Sequence, residues 1–289
     1  MEKNSCSLKL ANEKPNHSHF GNGLSFYYSI LDEICQEEDI KIQWLSNNWL
    51  ALLEKNGQHK FIMGHKFDIN SAIAAAIADD KYATFDVLRQ AKIPVIEHAL
   101  LYEPGDLERH AENRNSLDYV ETYLAEHDNH IVIKPNNGAR GINVFQIITP
   151  DQIPPVLKKI FHQSYSASMC PFYDILREFR VILLDNEARL VYDKVRGKDW
   201  RFNLQQGARA VDVEDEGLRK YLVELAQRAA RALGLRFCSV DIIETAEHER
   251  LVMEINSGVM TEHYLEQHPD KYDKVKHIYR DAVRAIFRP

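Results

Sequence analysis

An α/β (α+β) chain, folded as lobes around antiparallel sheets, is what the sequence predicts, on three observations. Short apolar runs recur in pairs bounded by Asn, Asp and Gly, the mark of hairpins. Stretches of helical period lie between them, the longest from about Glu216 to Leu233. Finally, 289 residues that are 45% hydrophobic, with only 12 glycines and 10 prolines, can bury a substantial core as one compact unit or as two or three small lobes.

The chain opens on a polar tail, MEKNSCSLKLANEKPNHSH, which lacks the charged and apolar regions of a secretory signal; a cytoplasmic protein is expected. A helix-like stretch, GLSFYYSILDEICQEE, then leads into two strand-like runs, KIQWLSNNWLALLE and HKFIMGHKF, separated at KNG. Residues 1–78 thus read as a small leading lobe. From Asn70 the pattern turns helical, with Asn70 or Ser71 as cap, and a second helix starts at Asp80 and stops before IPV. Polar, helix-prone sequence fills Leu100 to His130. IVIKP follows as a buried strand ending at proline, then a glycine-bearing turn and a second strand, INVFQII. After a helix over DQIPPVLKKIFHQ, the small residues and proline of SYSASMCPFYDI read as a linker and hinge, dividing a subdomain over 79–170 from one over 171–289. The second of these holds a hairpin, EFRVILLDNEARLVYDKVRG, turning at Asp185-Asn186. Next come a loop, DWRFNLQQGARAV, the long amphipathic helix, the strands SVDIIE and LVMEIN around TAEHER, and a C-terminal helix.

Composition limits the partners. Net charge is −7 with pI near 6.0 and no basic run, so nucleic acid and membrane are poor candidates. No apolar run approaches the roughly 20 residues that span a bilayer. Cys6, Cys35, Cys170 and Cys238 are scattered without a CxxC pair, which fits reduced, mostly buried thiols. None of the 13 histidines falls in an HExxH or comparable spacing, and His263, just after the last strand pair, is the one to follow.

Three constellations can carry chemistry. In the last hairpin a turn at TAEH or AEHE sets Asp241 opposite or nearly opposite Glu254, both able to point to one face; period two adds Asn256 to that face and sends Met253 and Ile255 to the other. Two carboxylates and an amide oxygen on otherwise apolar strands are costly unless a cation neutralises them, and hard oxygen ligands suit Mg2+. A solvent-facing hairpin edge is the plain alternative. The loop KPNNGARG lacks the GK[ST] of a Walker loop and precedes a strand; Gly138 and Gly141 let backbone amides approach phosphate, with Lys134 as a point charge. Its alternative is an ordinary turn with an exposed lysine. Lys194, Arg196, Lys198 and Arg201 form a basic stretch suited to a carboxylate or phosphate, or else a solvated loop.

Taken in order, NSAIAAAIADDKYATFDVLRQAKIPV, HIVIKPNNGARGINVF, ILREFRVILLD, DWRFNLQQGA and SVDII with LVMEIN resemble the ATP-grasp superfamily. Within it they are similar above all to the branch of glutathione synthetases, RimK-like ligases and cyanophycin synthetases, which are carboxylate–amine ligases. The resemblance runs from about Asn70 to the C-terminus. It implies two lobes sandwiching ATP behind a small N-terminal lobe, with Lys81 and Lys134 on the phosphates and Asn136 to Gly141 as phosphate lid. It further implies Pro171, Phe172 and Tyr173 as adenine hinge, Glu178 on the ribose, and Asp241, Glu254 and Asn256 as ligands of one or two Mg2+ ions, with Mn2+ as a substitute. Arg196 and Arg201 are implied near the reacting phosphate and acid. Departures are Ser-Gly-Val-Met after Asn256, where ligases often read Asn-x-x-Pro-Gly, and Ser239, where the D-alanine ligase branch has arginine. The implied activity is ADP-forming ligation of an amino acid or peptide carboxylate to an amine through an acyl phosphate, by a monomer or homodimer. An alcohol-phosphorylating ATP-grasp kinase and a non-catalytic nucleotide-binding protein are the alternatives.

Overall fold

The computed structural model describes residues 25–103, 117–138, 141–197, 202, 204 and 207–288. After helix α1 (Ser25–Glu37), strands β1 (Lys41–Leu45), β2 (Leu50–Lys55), β3 (Gln58–Met63) and β4 (Lys66–Phe67) form an antiparallel sheet in sequence order. Asn56 and Gly57 both take positive φ, as a two-residue hairpin turn requires. Each of the two runs expected as one strand folds into two. Ser46, Asn47 and Asn48 at φ 50, 53 and 64° turn the chain between β1 and β2, and Gly64 at φ 57° turns it before β4. Short polar residues tolerate the left-handed region, so SNN interrupts an apolar pattern that reads as continuous.

Helix α2 (Ala72–Asp79) is capped by Ser71, whose Oγ accepts from Ala74 N at 3.1 Å. Asp80 in turn caps α3 (Lys81–Gln90), accepting from Ala83 N at 2.8 Å. A second sheet, in order β5-β8-β6-β7, joins β5 (Ala99–Tyr102), β6 (Ile131–Pro135), β7 (Phe145–Ile147) and β8 (Ser166–Pro171). Helices α4 (Leu117–Glu126) and α5 (Ile153–Phe161) share its core with Leu101, Ile131, Ile133, Ala167 and Met169. Two expectations are corrected here. The start of the polar stretch is strand β5, and half of the expected linker is β8, a central strand paired on both sides. Ala, Ser and Cys pack between neighbours where the linker reading took small residues as a sign of mobility. The crossing between sheets shrinks to Phe172–Asp174.

The third sheet runs β11-β10-β9-β12-β13, from β9 (Ile175–Leu184), β10 (Glu187–Val195), β11 (Arg209–Asp212), β12 (Phe237–Thr245) and β13 (Arg250–Asn256). Asp185 and Asn186 make the expected left-handed turn of the β9–β10 hairpin, whereas β11 lies in sequence read as loop. On one face lies α6 (Glu216–Leu233), capped by Asp215 and closed by Gly234 at φ 73°. Its stripe Leu222, Leu225, Ala226, Ala229 and Leu233 packs on Phe179, Val181, Leu183, Val240 and Ile242 together with α2 and α3. Each buried leucine contributes about 1.5–3 kcal/mol. On the other face Ile182, Leu184, Leu190 and Phe237 share a core with α1, the first sheet, α7 (Glu262–Gln267) and α8 (Tyr272–Ile286), the last two replacing the single expected C-terminal helix. The leading segment is therefore packed into the C-terminal half.

Cys35, Cys170 and Cys238 are buried free thiols, and burial pushes Cys35 and Cys238 up to about 12; Cys6 lies outside the described residues. No helix among the described residues is long and apolar enough to cross a membrane.

Candidate active site

Strand alternation decides where the core ends and the site begins. Along β9, Ile182 and Leu184 point into the core shared with α8, and two and four residues earlier the same face carries Arg180 and Glu178. The same parity on β12 gives Phe237 in the core, then Ser239, Asp241 and Ile243 on a cleft; on β10 it gives Leu190 in the core, then Tyr192 and Lys194. This cleft, of about 630 Å3, lies between the second and third sheets and reaches the first. It gathers Lys81, Lys134, Gly138, Gly141, Pro171, Phe172, Tyr173, Glu178, Arg196, Asp241, Glu254 and Asn256, all singled out from sequence.

At one end the lining is apolar, from Ile96, Val132, Cys170, Ile175, Ile243 and Met253. The connecting residues are pinned beside it. Phe172 stacks on His130 at 3.8 Å between centroids and donates its N–H to the His130 carbonyl, so that amide is engaged within the protein. Tyr173 Oη accepts from Glu97 N at 3.0 Å.

Beside this end stand the two lysines. Lys81, first residue of α3, donates Nζ to the carbonyls of Asn136 (3.2 Å) and Gly138 (2.5 Å). Burial, opposed by Glu254 and reinforced by Lys134, lowers its pKa to about 8. Lys134, next to last in β6, stands opposite Ser168. Asn136 does not line the cleft: it is 1% exposed, its Oδ1 accepts from Tyr82 N at 3.1 Å, and it fastens the glycine loop to the start of α3. Ala139 and Arg140 of that loop, with Lys198, Arg201 and Asn203, lie outside the described residues.

The acidic patch forms as the hairpin register predicts, Asp241 opposite Glu254. One detail is corrected. Asp241 pairs with Glu254 but Ile242 with Val252, so Met253 is an extra residue, a bulge, and it lines the cleft with Glu254 rather than facing away. Asn256 Nδ2 donates to Glu254 Oε1 at 3.2 Å. Asp241, 1% exposed, takes a bidentate pair from Arg180 (2.7 and 2.6 Å) and Lys194 Nζ at 3.0 Å. Burial alone would raise its pKa, but Arg180 and Lys194 hold the carboxyl well below the usual carboxylate range. Lys194 also pairs with Glu178, which burial, against the pull of Lys194, pushes up to about 7. Two cations and two carboxylates thus form a compact buried quartet. Arg180 went unmarked in the sequence, although it stands two residues beyond Glu178 in a strand and so on the same face.

Two carboxylates and one amide oxygen fit a hard divalent cation that draws its other ligands from phosphate and water. Asp241 reaches such an ion only while sharing its oxygens with Arg180 and Lys194. Among the described residues no three His, Cys, Asp or Glu side chains gather into a closed metal site.

Beyond the acidic patch the cleft is lined by Trp49, Met63, His65, Ser257, Met260 and His263. Ser257 Oγ donates to Asp79 Oδ1 at 3.4 Å, Asp79 pairs with Lys66, and Val259 N donates to the His65 carbonyl at 3.1 Å. The Ser-Gly-Val-Met departure therefore ties the end of β13 to the first sheet. Arg196 rests over the Phe202 ring at 4.5 Å and donates to the Ile175 carbonyl at 2.5 Å, and His263 pairs with Glu266.

The chain has relatives among known proteins. The chain is 27% identical over 252 residues, 77% of its length and 83% of the relative's, to the tetrahydromethanopterin:alpha-L-glutamate ligase of Methanocaldococcus jannaschii. To the alpha-aminoadipate–LysW ligase LysX of Sulfolobus acidocaldarius it is 29% identical over 134 residues, 43% of this chain and 46% of that one. In fold it is similar to the D-alanine–D-alanine ligase from Bacillus anthracis complexed with ATP, at TM-score 0.56 and 17% identity over 75% of this chain and 70% of that one. It is also similar to the ATP-grasp ligase PsnB complexed with minimal precursor, at TM-score 0.50 and 21% identity, covering 68% of this chain and 57% of that one. Residues 78–273, more than half of the chain, match the RimK-like ATP-grasp domain, and the chain belongs to that family.

Proposed function

We propose that this chain is an ATP-dependent, ADP-forming carboxylate–amine ligase whose acid is an amino acid or peptide. The observation that carries the reading is the meeting, in one cleft, of the Lys81–Lys134–glycine-loop wall with the facing pair Asp241 and Glu254. Cations opposite paired carboxylates suit a polyphosphate and its counter-ion. Adenine fits the apolar end against the Pro171–Tyr173 connection, with Glu178 as the group for the ribose. Glu254, Asn256 and Asp241 would hold Mg2+, which when bound draws charge from the phosphates. Lys81 and Lys134 orient the γ-phosphate for attack by the acid's carboxylate. ADP leaves, an acyl phosphate forms, and the amine attacks its carbonyl, losing a proton as phosphate departs. Arg196 and Arg201 are assigned to the acid and the oxyanion. The chain's contribution is positioning and electrostatics.

Hydroxylamine trapping tests this. With ATP, Mg2+ and a panel of amino acids and short peptides, a hydroxamate with stoichiometric ADP is expected. ADP release on alcohols without hydroxamate would instead show a kinase, and no ADP with any acid and amine would leave a binding protein only.

Lys81 adds a pH signature. Nucleotide phosphates favour the charged form of this group, whose pKa lies at about 8. Below this value the lysine is already protonated and affinity should be flat. Above it, binding takes up a proton, and ATP affinity should fall by up to about tenfold per pH unit. Calorimetry in two buffers of different ionisation heat should report that uptake. Lys81→Arg should flatten the profile, and a wild-type affinity constant to about pH 9 would contradict the assignment.

A further inference from the structure

The outward face of the first sheet carries an apolar patch that runs out of the cleft. Strand register sets Leu45, Leu50 and Met63 in one row and Leu52 and Phe61 in the next, where Gln43 is the polar end on β1. Their inward neighbours Ala51, Leu53 and Ile62 are fully buried in the core, so this alternate set faces away from it. Met63 is 55% exposed and Phe61 46%. Trp49 extends the first row to the cleft lip: its indole lies over Gly64, where an added Cβ would stand 2.6 Å from the ring, and its carbonyl accepts from Gly64 N at 2.7 Å. Trp49 and Met63 line the cleft, so the patch and the site are one surface. A third row ends it, because Glu54 takes Lys41 at 3.5 Å and His59 at 3.9 Å. Large apolar side chains left open in a row that enters an active-site cleft and stops at an ion-paired rim mark a recognition surface.

We infer that this face docks an extended peptide with apolar side chains, whose reacting group lies in the cleft beside Asp241 and Glu254; the inference rests on the ligase reading and deepens it. Reach decides for a peptide over a free amino acid. Phe61 lies two residues along β3 from Met63, about 7 Å further from the cleft at about 3.3 Å per residue. A single residue held in the cleft reaches Trp49 and Met63, whereas contact with Phe61 and Leu52 needs a chain of several residues. Two other occupants fit less well. Six side chains offer on the order of a few hundred Å2, against the roughly 800 Å2 per partner of a stable dimer. The polar sequence of residues 1–19 has little to lay on such a face.

The test uses the full chain with Mg2+ and a non-hydrolysable ATP analogue, and titrates two N-acetylated hexapeptides by calorimetry, one alternating leucine with serine, the other all serine. The leucine peptide should bind about tenfold more tightly or better. Leu52→Ser with Phe61→Ser should erase that margin and leave analogue affinity unchanged, since neither side chain lines the cleft. Equal affinity for the two peptides, or a margin that survives the double substitution, overturns the inference. So does a wild-type dimer that the double substitution splits without touching peptide affinity, or leucine-peptide binding that emerges only when residues 1–24 are removed. Hydroxylamine trapping separates this from the ligase reading. A leucine margin without hydroxamate upholds the docking face and sinks the ligase alone, whereas hydroxamate from free amino acids with equal peptide affinities does the reverse.

Discussion

Replacing Glu254 by glutamine is expected to lower ATP turnover by about a hundredfold or more while leaving the thermal midpoint almost unchanged. Glutamine keeps the shape of the side chain and an oxygen for the Asn256 amide, which donates to Glu254 at 3.2 Å. What it removes is one negative charge, and that charge matters because its register partner Asp241 is already neutralised by Arg180 and Lys194. Glu254 is then the carboxylate most available to a cation. The same charge also helps keep the nearby Lys81 protonated, so its loss weakens the phosphate wall as well. Two readouts separate these roles. ADP release measures turnover, and analogue affinity with and without Mg2+ measures the cation's share of binding, which should vanish in Glu254→Gln. Lys134→Ala should instead weaken analogue binding in both conditions. Turnover within about tenfold of wild type in Glu254→Gln would mean that the cation site lies elsewhere.

The two positions also illustrate what a sequence can and cannot show. Asp241 and Glu254 are legible as partners because a hairpin closed by a short turn fixes register, and register needs only counting. Met253 is not legible, since a bulge adds one residue without a signature in composition, and it moves a thioether from the expected core face into the cleft. Strand β8 was hidden for a different reason. Its Ser, Ala, Met and Cys are buried between β5 and β6, where small side chains serve close packing; the same residues in solvent would be a flexible linker, and only tertiary context distinguishes the two. The cap at Ser71 and the turns at Asn56-Gly57 and Asp185-Asn186 were readable because local backbone chemistry alone decides them. Asn136 sits between these cases. The loop it belongs to is visible in sequence, but its partner is Tyr82 N–H, 54 residues away, and no local pattern encodes that contact.

Arg180 is the clearest case of a residue whose importance is tertiary, and Arg180→Met is expected to destabilise the fold by about 3–5 kcal/mol. The quartet of Arg180, Lys194, Asp241 and Glu178 is balanced in charge once Glu178 is ionised, above about pH 7. Deleting one cation leaves two buried carboxylates facing one lysine, and Asp241 loses both oxygens' hydrogen bonds to the guanidinium at 2.7 and 2.6 Å. At about 2–4 °C per kcal/mol for a chain of somewhat smaller size, the thermal midpoint should fall on the order of 10 °C. The size of the effect comes from the unpaired charge more than from the worth of the bond, and that distinction is testable. Arg180→Met combined with Asp241→Asn removes both partners, so it should cost less than the sum of the two single substitutions by about 2 kcal/mol or more. Lys194, 4% exposed, then still has Glu178. Denaturant melts of the four proteins measure this directly. Additive losses would mean that Arg180 and Asp241 act independently and that the quartet is no unit. A coupled loss shows that the carboxylate assigned to the cation is held in place by a guanidinium, which must share it whenever the cation arrives.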